Sequence, residues 1–324
     1  MVNIMNKFRR EANQLGLARE PFLMIVDFEM QSPLVIPLKD LPEDIKFHTP
    51  LISGSLASEA AGSDVLTKCM PVDYKTYLEA FNKVQANINH GNSYLLNLTF
   101  PSRIEINLGL EEIFSLADAK YKLLFEDKFV VFSPETFVEI EAGRISSRPM
   151  KGTIDASIDN ALEKIMTDEK ELAEHNTIVD LIRNDLSIVA KKVEVLNYRY
   201  HETIKAGGRE LMQISSEIAG RLDPGWEGRL GDILASMLPA GSISGAPKSE
   251  TVRIIRESEI DNRGYYTGIF GVFDGRSFDS AVMIRFIEQI DGSYVYRSGG
   301  GITYLSDPVN EYEELRAKVY VPTG

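Results

Sequence analysis

An amine and a carboxylic acid occur close together in residues 133–153, SPETFVEIEAGRISSRPMKGT. Lys151 lies between Pro149, which restricts the backbone before it, and Gly152, which lets a ligand approach closely. The alternating apolar residues after Glu135 and the turn sequence EAGR predict a hairpin that brings Glu135 near Lys151 across a strand pair. A nucleophilic amine beside a proton donor is one interpretation, and a surface lysine in a turn is the other.

Two predicted helices each carry a pair of glutamates three residues apart, a spacing that puts both on one helix face. The pairs are Glu171 with Glu174, and Glu311 with Glu314. Surface roles are also open, because Glu171 could complete a capping box with Asp168 and Glu314 could pair with Lys318. If the two faces meet, four carboxylates converge, and a ligand set of oxygens without Cys or His favours Mg²⁺.

Candidate groups for binding an anion follow in the C-terminal third of the chain. The glycines 299–301 follow a predicted strand and could turn their N–H groups toward an anion, although a flexible turn is the usual explanation. Arg285, in the predicted strand AVMIRF, is either a fork for a carboxylate or a salt-bridged core arginine. The loop GSISGAPKS at 241–249 lacks the spacing of a nucleotide phosphate loop, so no nucleotide site is predicted.

Composition limits the partners and the compartment. The 324 residues are 44% hydrophobic and 26% charged, which is typical of a globular protein. A net charge of −13 argues against binding to nucleic acid or to an acidic membrane surface. The single cysteine, Cys69, excludes an internal disulfide and a multi-thiolate metal site. With no signal peptide or membrane span in the sequence pattern, we expect a cytoplasmic protein.

The elements that must position these groups are hairpins interleaved with long helices. Helices are predicted over residues 1–20, 73–90, 111–128, from Thr167 or Asp168 onward, and over 307–320. A hairpin is predicted over residues 21–38, a loop over 53–70, and one strand over SFDSAVMIRFIEQIDG. This pattern predicts an α+β fold of large antiparallel sheets flanked by helices, as a single domain over 1–324 with residues 1–72 as its N-terminal part.

The order of motifs along the chain resembles that of the chorismate-utilising enzymes, most closely component I of the branch that makes aminodeoxychorismate. The motifs are SPE, PMKGT, ELAEHNTIVDLIRNDL, PAGSISGAPK, RGYYTG, IRF, GGGI and SDPVNEYEELRAK. They extend from about Asp73 to Lys318 and are highly specific as a series. The resemblance implies sheets flanked by helices and a Mg²⁺-dependent site that binds chorismate.

The resemblance also implies roles for residues that match the motifs. Glu174 and Glu314 would hold the metal, with Glu171 and Glu311 supporting it through its waters. The enolpyruvyl carboxylate would be bound by Arg285 and Tyr266. The ring carboxylate would be bound by Thr153, by the backbone of Gly299, Gly300 and Gly301, and by Lys318. Ser244 would lie in the loop that borders the pocket.

Lys151 distinguishes the branches of this family, because members that make anthranilate resemble one another in having Ala at that position. A neutral Lys151 can attack ring carbon 2 of chorismate while protonated Glu135 donates to the departing hydroxyl, and ammonia then enters at carbon 4. We expect burial and positive charge to lower the pKa of Lys151, and enclosure to raise that of Glu135. The product would serve folate and para-aminobenzoate synthesis.

Other positions bear on the alternatives. Leu95 stands where relatives have a water-activating Lys or a Gln, which argues against water as nucleophile, and Gln213 replaces a histidine common in the family. No glutaminase motif is present and Cys69 does not resemble a nucleophile elbow, so ammonia is expected from a separate glutamine amidotransferase subunit or from solution. Anthranilate synthase component I is the second hypothesis, and a non-catalytic chorismate-binding module is the third.

Overall fold

The computed structural model describes residues 2–54, 67–206 and 209–322, and within them the strands form two nine-stranded antiparallel sheets. The first sheet contains β1 (Phe22–Val26), β2 (Leu34–Pro37), β9 (Thr136–Glu141), β10 (Arg144–Ser147), β11 (Met150–Asp155), β12 (Lys191–Ala206), β13 (Arg209–Arg221), β15 (Ile269–Phe273) and β16 (Phe278–Val282). The second contains β3 (Ile45–His48), β4 (Ser53–Gly54), β5 (Thr67–Met70), β6 (Leu95–Ile106), β7 (Tyr121–Phe125), β8 (Phe129–Ser133), β14 (Gly245–Ala246), β17 (Phe286–Ile290) and β18 (Ser293–Ile302).

The described helices are α1 (Val2–Ala18), α2 (Tyr74–Asn89), α3 (Leu110–Leu116), α4 (Ala161–Thr167), α5 (Glu169–Val189), α6 (Leu230–Met237), α7 (Gly241–Ser244), α8 (Lys248–Ser258) and α9 (Pro308–Ala317). Local sequence sets several of their ends. The Asp168 side chain accepts a hydrogen bond from the Glu171 amide at the start of α5, and Asp307 caps α9 in the same way. Gly91, with φ +77°, follows the end of α2.

Strand β1 explains how the layers are joined. Its side chains alternate, so Leu23 and Ile25 pack in one apolar cluster with Phe47 of the second sheet. Phe22, Met24 and Val26 pack in another cluster that contains residues of α1, α2 and α5. The whole strand is therefore buried, with the second sheet on one face and helices on the other. The predicted α+β class, with large antiparallel sheets flanked by helices, is confirmed.

Two sequence-based assignments were wrong in part. Residues 111–128 form the short helix α3 and then strand β7, because the run YKLLF pairs with β3 and β8 and is almost wholly buried. The predicted loop over 53–70 begins in β4 and ends in β5, which pairs with β6. Its residues 55–66 lie outside those that the structure describes.

The assignment of 1–324 to one domain stays a prediction.

The segment 277–292, predicted as a single strand, contains two strands in different sheets. β16 belongs to the first sheet and β17 to the second, and the chain crosses between them at residues 283–285. Arg285 stands at this crossing with φ +54°, and is not inside a strand as predicted. The error arose because the apolar run continues through the crossing, since both strands bury residues on both faces.

The glycines 299–301 are also placed differently from the prediction. They lie inside β18, where they pair with Thr99, Leu98 and Asn97 of β6, and do not form a turn after it. A side chain would not fit there, because a Cβ at Gly299 would lie 2.4 Å from the carbonyl oxygen of Leu98.

Within the described residues, no helix is long and apolar enough to cross a membrane.

Candidate active site

A cavity of about 510 Å³ is lined by most of the residues that the sequence indicated as functional. Its lining includes Glu135, Lys151, Thr153, Glu171, Glu174, Tyr266, Arg285, Gly299, Gly300, Gly301, Glu314 and Lys318. These residues come from both sheets, from helices α5 and α9, and from the segments that connect or follow these elements. The two exceptions are Glu311, which is buried beside the cavity, and Ser244.

Lys151 reaches this cavity from a different strand than the sequence indicated. The hairpin of β9 and β10 forms as predicted, with Ala142 and Gly143 at positive φ in its turn. Lys151, however, lies on β11, and β11 pairs with β13, which separates it from β10. Glu135 and Lys151 are therefore not cross-strand neighbours, although their side chains interact electrostatically across the cavity.

The charge around Lys151 is negative, which contradicts the expected low pKa. Its Nζ lies 3.7 Å from Oε2 of Glu174. Burial acts to lower the pKa of Lys151, but the carboxylates of Glu174, Glu135, Glu314 and Glu171 outweigh burial and raise it. In this state of the site the amine carries its proton. A neutral nucleophile thus needs some of that negative charge to be offset.

Glu135 has the environment expected of a proton donor. Burial in the cavity wall raises the pKa of its carboxyl group, against the lowering effect of a hydrogen bond and of nearby lysines. The hydrogen bond comes from Ser242, whose Oγ donates to Oε1 at 2.5 Å. Ser242 also lines the cavity, and the sequence analysis did not select it. No feature of the loop sequence distinguishes Ser242 from Ser244.

Ser244 was selected and does not border the cavity. It is fully buried in the one-turn helix α7, where its Oγ donates to the carbonyl oxygen of Ala240 at 2.9 Å. That bond satisfies an acceptor at the start of the helix. Ser244 therefore supports the loop, and Ser242, two residues earlier, contacts the acid.

The glutamates of α5 and α9 do face each other, and a lysine lies between them. Lys170 on α5 contacts Oε1 of Glu311 at 2.7 Å and Oε1 of Glu174 at 3.7 Å. Glu314 pairs with Lys318 at 2.7 Å. Lys170 was missed, although its position four residues before Glu174 already put both on one helix face.

The acidic side chains differ in electrostatic state. Burial and mutual repulsion raise the pKa values of Glu171 and Glu174. Burial acts to raise the pKa of Glu314 too, but Lys318 outweighs it and the net shift is downward. Glu311 is buried, with 3% exposure, and its Oε2 has no hydrogen-bond partner. This oxygen lies 3.5 Å from where a Cβ of Gly300 would stand, so the glycine leaves space for a ligand beside it.

The donor chemistry at this point fits a hard divalent cation such as Mg²⁺. The donors are carboxylate oxygens, one of them buried without a partner, beside glycines that leave room. Among the described residues, no three Asp, Glu, His or Cys side chains form a ready ligand set. Lysines pair with Glu174 and Glu311 in this arrangement. The four glutamates nonetheless interact electrostatically as one group.

Two of the candidate substrate-binding residues, Arg285 and Lys318, contact each other in the cavity wall. Nη1 of Arg285 donates to the Lys318 carbonyl oxygen at 3.0 Å, and its guanidinium lies 4.7 Å from the ring centroid of Tyr320. Nζ of Lys318 donates to the Gly299 carbonyl oxygen at 2.8 Å. Burial raises the pKa of Tyr266, so its hydroxyl stays protonated and can donate a hydrogen bond.

Gln213, Leu95 and His175 differ in their relation to the cavity. Gln213 lines it as the cross-strand partner of Thr153. The side chain of Leu95 is buried, with Cδ1 3.1 Å from where a Cβ of Gly301 would stand. His175 is removed from it: burial lowers its pKa to about 4, and Nε2 lies 2.6 Å from Oγ of Ser216.

Several known proteins are similar in sequence to this chain over all or most of its length. A Pasteurella multocida protein named "Uncharacterized PabA-like protein" is 49% identical and covers 99% of each chain. A Haemophilus influenzae protein of the same description is 47% identical over 98% of this chain and 97% of its own. Anthranilate synthase component 1 1 of Haloarcula marismortui is 35% identical over 75% of this chain and 50% of its own.

The fold has a match among solved structures as well. MenF, the menaquinone-specific isochorismate synthase of Escherichia coli, superposes with a TM-score of 0.72, at 15% identity, over 98% of this chain and 81% of the other. At that identity the likeness concerns the fold. A family profile described as chorismate binding enzyme matches residues 43–324, which is most of the sequence. The chain therefore belongs to the chorismate-binding enzymes.

Proposed function

We propose that this chain is component I of an aminodeoxychorismate synthase, which converts chorismate and ammonia to 4-amino-4-deoxychorismate and water. The observation that carries the proposal is a lysine, Lys151, in the cavity with an acid, Glu135, whose pKa is raised. The family resemblance assigns Ala to this position in the anthranilate branch. The product would be a precursor of para-aminobenzoate in folate synthesis, and the compartment would be the cytoplasm.

The proposed reaction has two displacements. Neutral Lys151 forms a bond from Nζ to ring carbon 2, the two ring double bonds shift, and the carbon 4 hydroxyl leaves with a proton from Glu135 as water. Ammonia then forms a bond to carbon 4, the double bonds shift back, and the bond from carbon 2 to Lys151 breaks. The Lys151 amine leaves as the neutral group, and the ammonium group formed at carbon 4 returns one proton to Glu135, so atoms and charge balance.

The substrate has two carboxylates, and the cavity has two groups of donors for them. We assign the enolpyruvyl carboxylate to Arg285 and Tyr266. We assign the ring carboxylate to Lys318 and Thr153, together with the backbone of glycines 299–301. All of these residues line the cavity.

Mg²⁺ is the proposed cofactor, held by Glu174 and Glu314 with Glu171 and Glu311 in support. When bound, it would offset the negative charge that raises the pKa of Lys151 and would attract a substrate carboxylate. Lys151 then holds its amine toward the ring, while Ser242 keeps the Glu135 carboxyl group oriented through their hydrogen bond. The nitrogen source in this proposal is a separate glutamine amidotransferase subunit.

Product analysis tests the proposal directly. Purified protein is incubated with chorismate, an ammonium salt and MgCl₂, and the products are separated and identified by mass. We expect a product with the mass of aminodeoxychorismate, which still carries its enolpyruvyl group. Intact-protein mass with chorismate and no ammonia is expected to reveal an adduct on Lys151, absent from Lys151→Ala. Unchanged chorismate under these conditions would refute the proposal.

Anthranilate synthase component I is the second candidate, supported by the relative in Haloarcula marismortui that carries that name. This activity would release pyruvate and form a fluorescent aromatic amine. The same incubation separates the two candidates, because fluorescence and pyruvate together would identify the anthranilate reaction.

A further inference from the structure

Lys170 is the one described lysine that contacts glutamates of both α5 and α9. It belongs to α5, one turn before Glu174, and its Nζ lies 2.7 Å from Oε1 of Glu311 on α9. The separation from Oε1 of Glu174 is 3.7 Å. A single ammonium group thus joins the two helices that supply the proposed cation ligands.

The ion pair between Lys170 and Glu311 is buried on the Glu311 side. The Glu311 side chain is 2% exposed, and apart from the ion pair of Oε1 with Lys170 neither of its oxygens has a hydrogen-bond partner. An ionised carboxylate in such a place costs several kcal/mol unless a positive charge compensates it. Lys170 supplies that charge here. Its side chain keeps 30% exposure, so the flexible stem has a route to solvent.

We propose that Lys170 is an internal counter-ion that competes with the divalent cation for these carboxylates. Its ammonium group holds Glu311 and Glu174 together while the site lacks a cation, and it withdraws toward solvent when the cation binds. Two positive charges cannot both lie within contact distance of the same carboxylate oxygen without strong repulsion. The inference rests on the proposed function only in requiring that a divalent cation binds at these glutamates.

The proposal predicts that Lys170 weakens cation binding while stabilising the cation-free protein. Removing its charge leaves Glu311 buried and uncompensated, so the cation-free state becomes less stable and the cation gains a vacant site. A reciprocal coupling of this kind typically changes affinity by about 5- to 150-fold. Lys151 also contacts Glu174, but it has no contact with Glu311 and its amine is assigned to the chemistry.

Calorimetric titration of MgCl₂ into the full-length protein at constant ionic strength, without substrate, tests this directly. Lys170→Met keeps the length of the stem and removes the charge, and Lys170→Arg keeps the charge. Lys164→Met, at an exposed position on α4, removes a lysine that is not an ion-pair partner of Glu174 or Glu311 and serves as the matched control. The temperature of unfolding with and without Mg²⁺ provides a second readout that is independent of catalysis.

We expect Lys170→Met to bind Mg²⁺ about tenfold more tightly than the wild type, with a larger rise in unfolding temperature on addition of Mg²⁺. Lys170→Arg and Lys164→Met should bind no more tightly than the wild type. Equal or weaker binding by Lys170→Met, with the wild type binding normally, would overturn the inference and leave the proposed function standing. Absence of Mg²⁺ binding in every protein would overturn both the inference and the proposed cofactor.

Discussion

The Nζ of Lys151 lies 3.7 Å from Oε2 of Glu174, so an ion pair joins the proposed nucleophile on β11 to a proposed cation ligand on α5. The pair couples two functions that were assigned to separate sequence motifs. A cation that neutralises the Glu174 carboxylate also weakens the interaction that raises the pKa of Lys151.

Replacing Lys151 with Ala should reduce formation of aminodeoxychorismate by more than about 10³-fold, because the variant lacks the nucleophile. Binding of chorismate should remain measurable, since Arg285 and Lys318 are untouched. Product formation is followed by chromatography and mass spectrometry, with the exposed Lys164→Ala as control. Activity near that of the wild type would show that the amine does not attack the ring.

Glu135→Gln should lower kcat by about 10²- to 10⁴-fold, because the amide has the shape of the acid but cannot transfer its proton. The hydrogen bond from Ser242 can still form, since the amide oxygen accepts it. Chorismate affinity, measured by equilibrium binding, should change little. A rise in KM with an unchanged kcat would instead assign Glu135 to substrate binding.

Gly301→Ala should impair activity more than Gly300→Ala. A Cβ at Gly301 would stand 3.1 Å from Leu95 Cδ1 and 3.2 Å from Glu174 Oε2, between Leu95 and the acid. At Gly300 the nearest atom, Oε2 of Glu311, would be at 3.5 Å, an ordinary contact. We expect a loss in kcat/KM of roughly 10- to 100-fold for Gly301→Ala, as displacement of catalytic groups causes. Similar losses in both variants would contradict this steric account.

Asp279→Asn should stabilise the protein at neutral pH. Burial raises the pKa of Asp279 to about 6 in the folded protein, against a usual value of 3.8. Between these two values the folded state binds the proton that the unfolded state has lost, so stability falls as pH rises from about 4 to 6. Above pH 6 the ionised group costs about 3 kcal/mol, a cost the neutral amide avoids while still accepting the hydrogen bond from Tyr121.

The measurement is the temperature of unfolding of the wild type and Asp279→Asn at pH 7.5 and at pH 4.5. The variant should be more stable at pH 7.5, and the difference should shrink at pH 4.5. Asp223→Asn is the control, because a hydrogen bond from Lys191 lowers the pKa of this exposed Asp223. A stability difference between wild type and Asp279→Asn that is independent of pH would contradict the assigned pKa.

The sequence by itself determined the elements whose causes lie within a turn or two of the chain. Asp168 and Asp307 mark the starts of α5 and α9, and the spacing of three residues puts each glutamate pair on one face. The turn between β9 and β10 is equally local. The motif order also identified the family, which the comparisons confirmed.

Only the tertiary structure decided what these elements contact. Arg285 stands at a crossing between two sheets, which a continuous apolar run conceals. Lys151 is surrounded by acids, which reverses the expected direction of its pKa shift. Lys170 reaches Glu311 across two helices far apart in sequence. Charge balance and strand pairing depend on long-range packing, whereas caps and periodicity depend on neighbours in the chain, and only neighbours are visible in a single sequence.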